Sequence, residues 1–252
     1  MVKIGHARIS EHKTIDGERG DQNKAEVSIT EYYNKPWGYV IRAKNLQMGL
    51  RIANAMKMIC SNDNIGYGQH FRNDIITEGE KVDWIFKDIK KPINCDCSSA
   101  VTACVINAGI SKSKVYKGNS MTTRNMRTTL EKTGEFDVIP VKSLKPEDLM
   151  LGDILLAEGS HTAVVVEIDE VKEKKNQNKE KTDNNYFPAY DGKGVSIINA
   201  LNDIGCKDWS KLYRSKLAVA NNICENMDDY QGTAEQNLKL LSLLREGKLK
   251  RV

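Results

Sequence analysis

The sequence predicts an α+β fold, with helices packed on a small antiparallel sheet. Apolar residues recur at helical spacing in the first half of the chain, most clearly from Leu46 to Cys60. Two largely apolar segments, Asp153–Ala157 and the β-branched Thr162–Ile168, are joined by the turn Glu158-Gly-Ser and read as paired strands. Helices first and a hairpin later is the α+β plan. Composition agrees, because 40% hydrophobic and 29% charged residues allow a sizeable buried core.

Taken in order, a polar opening stretch leads into short strands expected at Ala25–Thr30 and Gly38–Arg42. The segment from Leu46 to Cys60 places Leu50, Ile52, Ala53, Met56 and Ile59 on one stripe of an amphipathic helix. A second short helix is expected at Val82–Ile89. The stretch from Ile93 to Gly109 then reads as an extended approach followed by a helix. Asp96 is a suitable N-cap, Val101, Val105 and Ile106 keep helical spacing, and Gly109 is a natural stop. A helix at Met121–Lys132 and a strand at Gly134–Val141 precede the hairpin.

Residues Lys172 to Asn185 contain no hydrophobic side chain, so they cannot repay ordering entropy by burial and are expected to be a solvated linker. This divides the chain into a domain at 1–170, a charged linker at 171–190 and a small domain at 191–252. In the last of these, Ile197–Ile204, Lys211–Cys224 and Thr233–Leu244 read as three helices, with Thr233 and Gln236 forming a capping box.

The net charge of +4, with basic and acidic residues interleaved, gives mild attraction to polyanions and does not mark a nucleic-acid-binding protein. No run approaches the ~18 apolar residues of a membrane span. The opening residues from Met1 to His12 lack the apolar core of a signal peptide, so synthesis in the cytoplasm is expected. Six cysteines in a chain this long do not suggest a disulfide framework, and Cys60 and Cys104 sit among apolar residues as small core side chains.

Cys97 differs from the other cysteines. Its place on the first helical turn, just after the capping Asp96, sets it against unpaired backbone N–H groups and the positive end of the helix dipole. Both favour a thiolate, the nucleophilic form. A base is offered by His161, which opens the second strand of the hairpin after Gly159-Ser. His70 is the rival base, and His12 lies in a polar stretch that reads as surface. Cys95 raises a Cys-x-Cys metal reading, but further ligands at recognisable spacing are missing, so no metal or cofactor is expected.

Three pieces in this order, Ile65-Gly-Tyr67-Gly, Asp96-Cys97-Ser98-Ser99, and Gly152-Asp-Ile-Leu-Leu ahead of Gly159-Ser-His161, resemble the NlpC/P60 family of papain-like cell-wall peptidases. The likeness extends to phage-type peptidoglycan hydrolases of Firmicutes, including the surroundings of Gly20-Asp-Gln22 and Lys35-Pro-Trp37. The tail, with Asn199-Ala-Leu-Asn-Asp-Ile-Gly205 and Gly232-Thr-Ala-Glu-Gln-Asn, is similar to C-terminal cell-wall-binding modules of such lysins. The resemblance implies a papain-like catalytic domain that hydrolyses an amide bond of peptidoglycan, acting on the bacterial cell wall as its partner. It implies Cys97 as nucleophile, His161 as general base, and Tyr67, Asp96, Ser98 and Gln22 in contact with substrate. Trp209 is the residue of the small domain suited to stacking on a glycan.

One departure stands out. The family orients its histidine with a polar residue on the following strand, whereas here the chain runs from the His161 strand almost straight into the linker. Glu167 shares the His161 face, but six residues along a strand is ~20 Å away. The N-terminal polar cluster of His6, Asp21 and Gln22 is the better source, and Asp21 is the expected orienting residue. Two other readings use the same residues differently: a wall-binding protein with a degenerate papain-like domain, and an intracellular cysteine protease.

Overall fold

The computed structural model describes residues 1–34, 36–168, 185–192, 194–206 and 208–252. The chain divides into two compact units, Met1–Glu173 and Lys174–Val252. Most of the expected linker, along with Lys35, lies outside the described residues.

The first unit is built on a six-stranded antiparallel sheet in the order β2-β1-β8-β7-β3-β6. Its strands are β1 (Lys3–Ala7), β2 (Val27–Glu31), β3 (Tyr39–Ala43), β6 (Phe136–Pro140), β7 (Ile154–Ala157) and β8 (His161–Glu167). A separate parallel pair, β4 (Ile65–Tyr67) and β5 (Ile93–Cys95), sets Tyr67 directly opposite Cys95. The helices are α1 (Leu46–Cys60), α2 (Asp74–Lys81), α3 (Cys97–Asn107), α4 (Lys112–Val115) and α5 (Met126–Glu131). All three observed strands that the sequence places first or last in this unit, β1, β7 and β8, end up side by side or one strand apart.

Helix α1 spans the stretch its periodicity predicts, and Asn45 caps it by accepting the Met48 N–H. Its apolar stripe packs with α3 against Ile154, Leu156, Val164 and Val166 of the sheet. Helix α3 is buried from Cys97 through Ile106, which matches its lack of a polar face. The opposite sheet face carries a second cluster in which Ile4, Val40, Leu155, Ala163 and Val165 meet Trp37 and Leu149. Gly152 closely approaches the start of α1. It lies at φ +84, and a Cβ there would stand 2.0 Å from the Gly49 carbonyl oxygen of α1.

The helix expected at Val82–Ile89 does not form. Asp83 and Trp84 take φ of 49 and 64, so the chain leaves the helical region, and the Trp84 N–H turns back to the Gly79 carbonyl to close α2. What remains is a short 3-10 turn at Phe86–Asp88. The expected Met121–Lys132 helix is shorter than its pattern and starts at Met126.

The second unit contains α6 (Ile197–Asp203), α7 (Lys211–Ala220) and α8 (Ala234–Arg245) among the described residues. Its core includes Leu201, Leu217, Tyr230, Leu240 and Leu244. Phe187 and Tyr190, which fall inside the expected linker, are buried in this core. The Thr233–Gln236 capping box is present, and the Gln236 amide oxygen also accepts the Gln231 and Gly232 N–H groups. Part of the Gly-Thr-Ala-Glu-Gln-Asn motif is therefore a self-contained helix start. No helix among the described residues is long and apolar enough to cross a membrane.

Candidate active site

The start of α3 is held by a dense set of side chains. Asp96 accepts the Ser99 N–H at 2.6 Å while Ser99 Oγ accepts the Asp96 N–H at 2.8 Å, a reciprocal capping box. Arg72 donates to both Asp96 carboxylate oxygens, at 2.7 and 3.3 Å, and to Ser98 Oγ at 2.8 Å. The same guanidinium also donates to the carbonyls of Ser120 and Met121 and to the Asn119 side chain. Asp96 and Ser98 are thus committed to the protein's own scaffold. The sequence gives no periodic or motif signal that would have pointed to Arg72.

Cys97 retains 9% of its exposure. Burial pushes its thiol from 9.0 up to about 12, with the Asp96 charge adding to the rise and the Thr162 and Ser98 N–H groups and Arg72 opposing it. The helix dipole does not reverse this. A helix terminus contributes ~0.3–1 kcal/mol, less than one pKa unit at ~1.4 kcal/mol each. Burial thus works against the standing thiolate that the helix start favours. The Thr162 N–H that faces the thiol belongs to the residue immediately after His161.

His161 opens β8 and is 8% exposed. Its Nε2 shares a hydrogen bond of 2.8 Å with Nδ1 of His6 on β1. His6 Nε2 in turn lies 3.2 Å from Thr30 Oγ1 on β2. The three side chains come from neighbouring strands but are not directly opposed, since Ser28 is the β2 partner of His6 and Thr30 that of Ile4. The Trp37 ring stacks on His161, with centroids 6.0 Å apart and planes at 29°. A cleft of about 370 Å³ opens over this row, lined by His6, Arg8, Thr30, Tyr33 and His161. The Tyr33 phenol is raised chiefly by burial, with the Arg8 guanidinium opposing the rise and Cys97 adding to it.

Asp21 sits elsewhere. Its carboxylate accepts the N–H groups of Ala25, Glu26 and Val27 and so ties down the loop before β2. Gln22 donates its N–H to Glu26, and its side chain binds the Arg19 and Gly20 carbonyls. Glu26 then accepts the Tyr67 N–H at 2.8 Å. Asp21 and Gln22 therefore reach the site at one remove, by supporting the Tyr67 backbone. Tyr67 is buried opposite Cys95, and its hydroxyl accepts from Gln69. His70 is exposed and paired with Asp16 at 2.6 Å, and His12 pairs with Glu11. In the second unit Trp209 is 41% exposed, with its carbonyl bound by Arg214. Asp153 of the Gly-Asp motif is buried against Arg42, which grips it in two-pronged fashion at 2.7 and 2.8 Å.

Compared with known proteins, residues 4–172 match the family model described as an endolysin-like domain. The chain belongs to the endolysin-like domain family. No curated protein and no solved structure matches it. Membership gives the endolysin-like domain a cell-wall lytic function directed at peptidoglycan. His6, Thr30 and His161 all lie within the matched span.

Proposed function

We propose that this endolysin-like domain is a cysteine peptidoglycan hydrolase of NlpC/P60 type, in which Cys97 cleaves an amide bond through an acyl-enzyme and His161 is its base, oriented by His6. The observation that carries this reading is the His6–His161 hydrogen bond between adjacent strands, with the N–H of the next residue, Thr162, directed at the Cys97 thiol of the capped helix start. It offers a polar partner for His161 from the neighbouring strand β1. Strand β1, from the other end of the domain, stands beside β8.

The order of protons in the row follows from its chemistry. When His6 Nε2 donates to Thr30 Oγ1, His6 Nδ1 accepts from His161 Nε2–H, and the lone pair of His161 is on Nδ1. That nitrogen takes the Cys97 proton as sulfur attacks the substrate carbonyl. Burial disfavours the thiolate, so a base that takes the thiol proton as sulfur attacks is what the mechanism calls for. Catalytic contacts that are loose in a free enzyme tighten on substrate binding. Backbone N–H groups at the start of α3 face the developing oxyanion. The imidazolium of His161 then protonates the leaving amine, and water attacks the thioester to release the second product. The second unit is a wall-targeting module in this reading, with Trp209 as its stacking residue.

Clearing of purified cell walls by the Cys97→Ala and His161→Ala variants tests the proposal. Both are expected to leave walls intact while keeping the wild-type circular dichroism spectrum. Lysis by Cys97→Ala at the wild-type rate would remove the cysteine mechanism.

A further inference from the structure

We infer that the cavity between α4 and α5 is a binding site for a phosphodiester-linked polyol chain. The cavity measures about 540 Å³ and shares no lining residue with the cleft over the histidines. Three cations line it: Lys114 on α4, Lys117 on the loop that follows, and Lys132 at the end of α5. Positive charge therefore faces the space from two separate elements. No acidic side chain lines it among the described residues. All three lysines are exposed and none forms an ion pair among the described residues, whereas their neighbour Lys112 is paired with Glu80.

The amides between these cations are turned the same way. Asn119 Oδ1 accepts from both Arg72 and Asn73, and Asn125 Oδ1 accepts the Thr122 N–H at 2.7 Å. Each amide thus has its oxygen occupied by the protein and its NH2 group left to donate. The loop that carries Lys117 and Asn119 is set in advance. A Tyr116–Ser120 bridge closes it, and Asn73 Oδ1 accepts both the N–H and the hydroxyl of Ser120. Such preorganisation lowers the ordering cost of binding. A lining dominated by ammonium and amide donors favours an anion rich in acceptor oxygens over a neutral sugar, and lysine is a compact point charge suited to phosphate. No aromatic ring lines the cavity among the described residues, so a nucleobase finds no face to stack on. Cations on two sides of the space match successive phosphates on a flexible chain. A cell-wall lytic family meets that chemistry in the phosphodiester polyols of bacterial walls.

Calorimetry on the full-length protein tests the inference, with a synthetic poly(glycerol phosphate) hexamer as the probe and hexathymidylate as the comparison. The polyol hexamer is expected to bind, and to bind about ten-fold more weakly at ~150 than at ~50 mM salt, as counterion displacement by about three cations gives. The triple variant Lys114→Gln, Lys117→Gln, Lys132→Gln is expected to lose about ten-fold or more in affinity. Removing equal charge from exposed positions elsewhere on the unit, with Lys87→Gln, Lys90→Gln and Lys142→Gln, is expected to leave affinity within about two-fold. Asn125→Asp keeps the acceptor for Thr122 but replaces the donor with a negative charge, and is expected to weaken binding about ten-fold. No binding of the polyol hexamer, equal losses in the two triple variants, or hexathymidylate binding as tightly overturns the inference. Turnover by Cys97 is not read in this experiment, so failure of the hydrolase reading leaves its outcome unaffected.

Discussion

Replacing Arg72 with Met isolates the contribution of the clamp at the nucleophile. The side chains of Arg72 and Asp96 are 12% and 11% exposed, so the pair is largely shielded from water. Removing the cation leaves a buried carboxylate supported by Ser98 and Ser99 alone, and breaking such a pair from one side costs ~3–5 kcal/mol. The Ser120 and Met121 carbonyls also lose their donor, at ~1 kcal/mol each where water does not replace it. Partial rehydration at the remaining exposure offsets some of this, so a loss of about 4 kcal/mol is expected in urea unfolding at pH 7, with an unchanged m-value. Adding Asp96→Asn should restore at least ~2 kcal/mol of that loss, because the uncompensated charge disappears. Iodoacetamide should also label Cys97 more slowly in Arg72→Met at pH 9, since Arg72 opposes the rise of the thiol and Asp96 promotes it. A loss below 1 kcal/mol, or strictly additive single and double variants, would refute the clamp.

Other consequences are equally direct. His6→Gln should reduce wall-clearing activity about 10²-fold with the fold retained, and a change below two-fold would show that His6 does not orient the base. Four thiols, Cys60, Cys95, Cys97 and Cys104, are raised by burial. Unfolded thiols ionise near ~8.5, so above that pH the unfolded state sheds protons that the native state keeps, and stability falls as pH rises. Cys104→Ala should make that fall shallower by ~1.4 kcal/mol per pH unit between pH 9 and 11; an identical slope would contradict the assignment. Gly152→Ala should destabilise the first unit by about 2–4 kcal/mol in thermal or urea unfolding, because a positive φ coincides with a clash against α1.

Local signals in this chain were read from local residues. The capped start of α3 was visible because Asp96, Cys97 and Ser99 lie within four consecutive positions, and the extent of α1 followed from one uninterrupted apolar stripe. The hairpin β7–β8 was legible for the same reason. Pairing between distant segments was not. Nothing in the Lys3–Ala7 pattern says that it adds to the edge of β8, so His6 stood in the sequence as one of three polar candidates and Asp21 was preferred to it. A carboxylate can orient a histidine, but Asp21 precedes a loop whose backbone N–H groups converge on it, and that local demand is met first. The partner of Asp96 and Ser98 was equally out of local reach, because Arg72 lies more than twenty positions away. The short helix at Val82–Ile89 failed because periodicity does not register the two left-handed residues at Asp83 and Trp84.

The central claim is that Cys97 cuts an amide bond of peptidoglycan. Mass spectrometry of fragments released from purified walls, with free amino groups and reducing sugar ends quantified in parallel, tests it most directly. The account predicts fragments that end in newly freed carboxyl and amino groups, no rise in reducing ends, and neither product from Cys97→Ala. Fragments with new reducing ends, or the same amide products from Cys97→Ala, would contradict it.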